Sequence, residues 1–314
     1  MNGKRVLVTG GSGVIAQKLI RLLVDEGAIV RSVDKRPFPS DRVENVESIQ
    51  LDLAVDDLAP IESFDPDVVF HLAAAFERTD ESASFWNDNW QDNMVASHRL
   101  IDVLRELNRL ETVIFASSYL VYDSRTYLSS TRPDNPTLVN EQTAIDPRNL
   151  CGAAKYYTEE ELSFLAETKN DFRAIWPRIF RVYGRGSKDV ISRWVRAALR
   201  NETINVYNEQ NMFDFIHADD VAEGLLRLAQ ADRVRGSVNL GRGVPCRISK
   251  VLKILNEEIP GTTDNIVNEG VGDLYEASCA DVSRLVESTG WRPTYDLKSG
   301  IQDVIEYERS RVNR

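Results

Sequence analysis

The stretch RVLVTGGSGVIAQKLIRLLVDEG, residues 5–27, constrains the fold more than any other part of the chain. A β-branched run stops at Thr9, glycines hold positions 10, 11 and 13, and a helical apolar pattern begins at once. Gly10 permits a tight turn, Gly13 lets backbone approach a pyrophosphate, and Ala16 is the third small residue, which packs helix against strand. The helix N-terminus then offers N–H groups and the positive end of its dipole to phosphate. An ordinary glycine turn is the alternative; strand, helix and small-residue spacing together weigh against it.

The same alternation continues in IVRSVD, VVFHLAA, the helical MVASHRLIDVLREL and TVIFASS. Strand and helix taking turns predicts an α/β, Rossmann-type doubly wound parallel sheet, covered on both faces. The helix over 14–26 carries an apolar stripe of Val14, Leu19, Leu22 and Leu23 and stops at Gly27. After about residue 185 the rhythm changes: VISRWVRAALRN, a strand-like INVYN and DDVAEGLLRLAQ lead into a Gly/Pro-punctuated tail. The expected division is a cofactor domain over 1–180, rejoined by part of 214–242, and a smaller interleaved C-terminal lobe over 181–314 that binds substrate. Residues 123–149, rich in Ser, Thr, Pro, Asn and Asp, read as a long surface loop.

Composition removes several classes. A formal charge of −11 and a pI near 5.0 argue against coating nucleic acid, which needs clustered Lys and Arg. Cys151, Cys246 and Cys279 share no short spacing and are odd in number, so they predict neither a disulfide framework nor a zinc cage and fit a reducing cytoplasm. No apolar run reaches membrane-spanning length. His71, His98 and His217 are scattered, HADD at 217–220 reads as a helix start, and no metal is expected.

Asp34 ends the second strand about twenty residues past the glycines, where an acid accepts hydrogen bonds from an adenosine ribose. A carboxylate there repels a 2′-phosphate and favours NAD over NADP. Lys35 and Arg36 either turn toward such a phosphate or form a solvated pair. Asp52, in LDLA, reaches the adenine or caps a helix.

With TGGSGVIA, the Asp34 strand end, LDLA, HLAA and the tail in place, the chain resembles the extended short-chain dehydrogenase/reductase family, particularly its nucleotide-sugar epimerases and dehydratases. HLAAA at 71–75 resembles the fourth strand, whose backbone lies along the cofactor, and Asn93 the central-helix asparagine. FASSYLVYD is similar to the strand bearing the catalytic serine, here Ser118, and PRIFRVYG to the segment passing the nicotinamide. FDFIHADDVAEGLL and DVSRLVESTGWRP resemble two later family segments. The resemblance implies that NAD is lined by Gly10, Gly11, Ser12, Gly13, Val14, Ile15, Asp34, Lys35, Asp52, Leu53, Leu72, Ala73, Ala74, Asn93, Ala116, Lys155 and Phe180. It also implies a homodimer built on helices at 93–107 and 152–168, a nucleotide-sugar substrate, and epimerisation as the default reaction. Ser118, Tyr119, Arg181 and Phe213 are the expected substrate contacts.

In that family a serine and a tyrosine meet the substrate hydroxyl, and a lysine four residues after the tyrosine binds the nicotinamide ribose and lowers the phenol's pKa. Counting back four from Lys155 gives Cys151. Three readings follow: Cys151 is the acid/base, another group has taken over, or hydride transfer is lost. A thiol starts lower than a phenol, at about 8.5 against about 10, but its sulfur sits nearer the backbone. A small buried thiol filling the ring's place is the packing alternative. Tyr119, Tyr156 and Tyr157 are substitutes to weigh; Tyr119 faces away from Ser118 if it lies in a strand, Tyr156 turns away from Lys155 if it lies on a helix, and Tyr122 and Tyr183 read as structural. The family's diphosphate-touching asparagine is Arg181 here, and its diphosphate-gripping arginine is Phe213. Either the guanidinium has moved to 181, or the substrate is smaller and the enzyme a dehydrogenase or reductase. YLV after the serine, where 4,6-dehydratases carry DEV, counts against that branch.

Overall fold

The apolar runs become strands because their branched side chains pack on both faces of a covered sheet, where a continuous apolar run has no solvent face to avoid. The computed structural model describes residues 1–39, 43, 46–76, 83–169, 172–269 and 274–312. The chain begins β1 (Arg5–Thr9), α1 (Val14–Asp25), β2 (Ile29–Asp34), β3 (Glu47–Gln50), α2 (Ala59–Phe64), β4 (Val68–His71) and α3 (Ala83–Asn89). A π-helical stretch, Trp90–Val95, leads into α4 (Ala96–Glu106), β5 (Thr112–Phe115), β6 (Ser117–Ser118), β7 (Leu128–Ser129), β8 (Thr137–Val139), α5 (Leu150–Thr168) and β9 (Arg173–Ile179). There follow β10 (Arg181–Tyr183), α6 (Val190–Leu199), β11 (Ile204–Val206), β12 (Met212–His217), α7 (Ala218–Gln230), β13 (Gly236–Leu240), β14 (Pro245–Arg247) and α8 (Ile248–Glu258). Short strands β15 (Ile266–Asn268), β16 (Tyr275–Glu276) and β17 (Ser278–Ala280) precede α9 (Ser283–Thr289) and α10 (Leu297–Val312).

Among the described residues the main sheet runs β13-β9-β5-β4-β1-β2-β3, with β6 also on β9, and every pairing is parallel. This is the Rossmann-like α/β architecture. Strand order reverses between β1 and β4, and a ligand crevice opens at such a switch point, beyond the strands' carboxyl ends. Leu19, Leu23 and α7 residues such as Leu225 pack on one face, and Leu100, Leu104 and Leu162 on the other. A separate core of Tyr183, Ile191, Val195, Val251, Leu255 and Ile301 holds α6, α8 and α10 around β10 and β12.

Three local expectations change. The buried stripe of α1 is Ala16, Leu19, Ile20 and Leu23, whereas Val14 and Leu22 are half-buried at its edge. Residues 123–149 are not a featureless loop: β7 pairs with β16 and β8 with β17, so the segment is held by the tail of the chain. Tyr119 lies in a 3₁₀ turn, not a strand, because Ser118 Oγ accepts the Leu120 N–H at 3.2 Å and turns the chain.

Candidate active site

The phosphate cradle forms at the carboxyl end of β1. Gly10 has φ +73°, and a Cβ there would lie 2.7 Å from Ala73 N and 2.8 Å from the Leu72 carbonyl carbon. At Gly11 a Cβ would overlap Ser32 Oγ. Gly13 caps α1 without any side-chain hydrogen bond, so the first N–H groups of α1, at Val14 and Ile15, face an anion unshielded.

Asp34 closes the cradle. Its Oδ2 accepts the Ser12 N–H at 3.0 Å and its Oδ1 the Arg36 N–H at 2.8 Å. Arg36 reaches back to the same carboxylate at 3.4 Å, and Lys35 pairs with Asp92 at 2.5 Å, so both cations are drawn to acids. Asp34→Asn is therefore expected to shift the NAD/NADP affinity ratio toward NADP by about ten- to hundredfold, the worth of charge-assisted bonds to the ribose and of a removed repulsion. Titrating the apo-protein with each dinucleotide measures it; an unchanged ratio rejects the role. Asp52 Oδ1 accepts the Ala54 N–H at 2.9 Å, shaping the turn that carries Leu53.

The backbone after β4 is held from below. His71 is 2 % exposed; its ring nitrogens meet Thr9 Oγ1 at 2.7 Å and Ser97 Oγ at 2.9 Å. Burial first, and the Lys155 charge second, push its pKa down to about 3, leaving a neutral ring. Asn93 brackets Ala75 with two hydrogen bonds, N–H to Oδ1 at 2.8 Å and Nδ2 to the carbonyl at 2.9 Å. Its amide therefore fixes the course of Leu72–Ala75. No sequence motif pointed to His71 as a fixing group.

Next along the crevice stand Ser118, Cys151 and Lys155, the last two on α5, whose N-terminus Asn149 caps through the Gly152 N–H at 2.8 Å. Cys151 is 1 % exposed, with Sγ 3.9 Å from the Ala75 carbonyl. Lys155 is 7 % exposed, its Nζ 4.6 Å from the centre of the Phe115 ring. Among the described residues Nζ has no hydrogen-bond acceptor. Burial, only partly offset by Cys151 and Glu159, lowers its pKa to about 8. Glu159, one turn further on, is bound by Arg178 at 2.6 Å and by Ser117 Oγ.

On the substrate side, Glu276 was not foreseen. It is 4 % exposed and takes Arg148 Nη1 at 2.6 Å, Arg181 Nη2 at 3.0 Å and Tyr119 Oη at 3.3 Å. Burial alone would raise its pKa; the two guanidiniums overcome that and lower it. Arg181 lies 3.8 Å over the Phe213 ring, and its buried Nε has no hydrogen-bond partner among the described residues. The Tyr119 ring stacks on Phe180 at 5.1 Å. Burial foremost raises the phenol's pKa, which keeps Tyr119 protonated.

These residues fit a nicotinamide dinucleotide: a glycine cradle with no room for a Cβ, an acid beside it, and a buried ammonium with no acceptor among the described residues. Gly10, Gly11, Ser12, Gly13 and Asp34 suit its adenosine diphosphate portion. A doubly wound sheet so furnished defines a class of dinucleotide-dependent enzymes. More narrowly, residues 6–241 match the model of the NAD dependent epimerase/dehydratase family, and the chain belongs to that family. A putative UDP-glucose 4-epimerase of Methanocaldococcus jannaschii is 26 % identical, the match covering 97 % of this chain and 98 % of that one. MoeE5, solved with UDP-glucose and NAD, superposes with a TM-score of 0.84 at 26 % identity over 98 % of this chain and 99 % of that one. The UDP-N-acetylglucosamine 4-epimerase of Methanobrevibacter ruminantium M1, solved with UDP-N-acetylmuramic acid, gives 0.83 at 25 % identity over 99 % and 100 %.

Proposed function

We propose that the chain is an NAD-dependent nucleotide-sugar epimerase acting by transient oxidation of a sugar hydroxyl. The observation that carries the substrate class is the Arg181–Phe213 stack. The two departures from the family pattern meet in space, so Phe213 is a platform for the guanidinium and not an empty place. Two guanidiniums share the single Glu276 carboxylate, leaving a surplus positive charge and an unpartnered Nε that suit a diphosphate. This removes the motive for a smaller substrate.

When bound, NAD supplies a hydride acceptor that returns the hydride to the intermediate ketone. Lys155 suits the nicotinamide ribose, with Ala116 and Phe180 beside it. Val14, Ile15, Lys35, Asp52, Leu53, Leu72, Ala73, Ala74 and Asn93 shape the rest of the cofactor groove, and NADP is disfavoured by Asp34. Ser118 orients the substrate hydroxyl, while Tyr119 and Phe213 wall the pocket. Residues 181–314, apart from the part of 214–242 that rejoins the sheet, form the substrate lobe. A homodimer through the helices at 93–107 and 152–168 is supported by exposed Tyr157 and Phe164, and a reducing cytoplasm by three buried cysteines without a disulfide.

A panel of UDP- and dTDP-hexoses tests the reading. It should yield an epimer without added NAD, and Arg181→Ala should weaken UDP binding about ten- to hundredfold, as for a lost charge-assisted bond. Neither binding nor product across the panel rejects it.

A further inference from the structure

Resting on that reading, we propose that Lys155 itself takes and returns the proton of the substrate hydroxyl, which Ser118 Oγ holds, in place of a phenol at position 151. The tyrosines flanking Ser118 and Lys155 are otherwise placed, and Tyr127, 2 % exposed, lies behind Tyr119 with the two rings 6.2 Å apart. Tyr119 donates to Glu276 and Tyr122 to Asn239 Oδ1 at 2.6 Å; Tyr156 packs against the core and Tyr157 is exposed, both on other faces of α5. His71 has both ring nitrogens occupied by Thr9 and Ser97. The Cys151 thiol ends short, is 1 % exposed and lies toward the Ala75 carbonyl. What remains is the long arm of Lys155, on the same face of α5 one turn beyond residue 151.

Its surroundings ease the loss of a proton from the ammonium. The ionisable groups nearest it are His71 on β4 and Cys151 and Glu159 on its own helix. Glu159, the one acid among them, is neutralised by Arg178 from β9. Phe115 from β5 supplies only a ring face. A buried ammonium whose nearby acid is held by an arginine loses its proton more readily than one in water, and burial brings Lys155 to about 8. In the forward step the substrate O–H breaks and its proton converts the amine to ammonium, while a bound nicotinamide would supply the acceptor for the carbon's hydride. The return step reverses both transfers, so no further oxidant or base is required.

Lys155→Arg is the decisive variant, because a guanidinium keeps the charge and the donors but does not deprotonate. It should retain NAD binding within about tenfold by calorimetry while kcat falls by about 10²–10⁴-fold, the usual contribution of general acid–base catalysis. Cys151→Ala should keep kcat within about threefold, against that larger loss. For the native protein, kcat/KM for the sugar should rise with pH and level off near 8. The rate of Lys155 acetylation in protein free of NAD and substrate, followed by mass spectrometry, should break at the same pH. Lys155→Arg with native kcat and pH profile overturns the assignment alone, as does loss of turnover in Cys151→Ala with Lys155→Arg active. A native protein making no product from any nucleotide sugar overturns the epimerase reading and this assignment with it.

Discussion

Gly10→Ala is expected to lower NAD affinity about hundredfold and to destabilise the fold by about 2–4 kcal/mol, summing a left-handed alanine and local overpacking. The added methyl would sit 2.7 Å from Ala73 N, and its obstacles are backbone atoms on β4's exit, which no rotamer change can move. Either the turn leaves φ +73° or the segment after β4 shifts. Both displace the N–H groups at the start of α1 from the phosphates they are aimed at. Calorimetric titration with NAD and a urea melt read the two effects separately. Native affinity in the variant would show that the turn is not the cofactor's cradle.

The second large effect is expected at Glu159→Ala, a loss of about 3–5 kcal/mol, the cost of leaving a buried charge without its partner. Glu159 and Arg178 have side chains 2 % and 6 % exposed and meet at 2.6 Å. Ser117 Oγ joins the same carboxylate, and the Arg178 guanidinium lies 4.8 Å over the Tyr122 ring. The cluster therefore ties α5 to β6 and β9 directly beneath Ser118 and Lys155. Replacing both partners together, Glu159→Leu with Arg178→Met, should recover most of the loss, because no orphaned charge remains. Urea denaturation of the two variants measures the difference. A single variant costing less than about 1 kcal/mol would mean that water reaches the guanidinium.

What could be read in one dimension was local. The cradle, the Asp34 strand end and the serine segment each depend on spacings of a few residues, and each is where those spacings place it. The spacing of four between positions 151 and 155 likewise puts the missing phenol beside the lysine. Glu276 could not be read this way: it meets Arg181 across 95 residues and Arg148 across 128, and nothing near it in sequence marks it as a ligand. The same holds for Phe213, which looks like a lost arginine until Arg181 is seen lying on its ring. Tyr119 escaped because a strand pattern of buried residues is also satisfied by a serine-capped turn.

Sequence by itself determined the alternating fold, the glycine turn after β1 and the acid beside it. Periodicity and glycine placement act through neighbouring bonds, and those are written in order along the chain. Tertiary structure alone decided the charge balance around Glu276 and the desolvation of Lys155. Both depend on desolvation and on partners delivered from other strands, through space and not along the backbone.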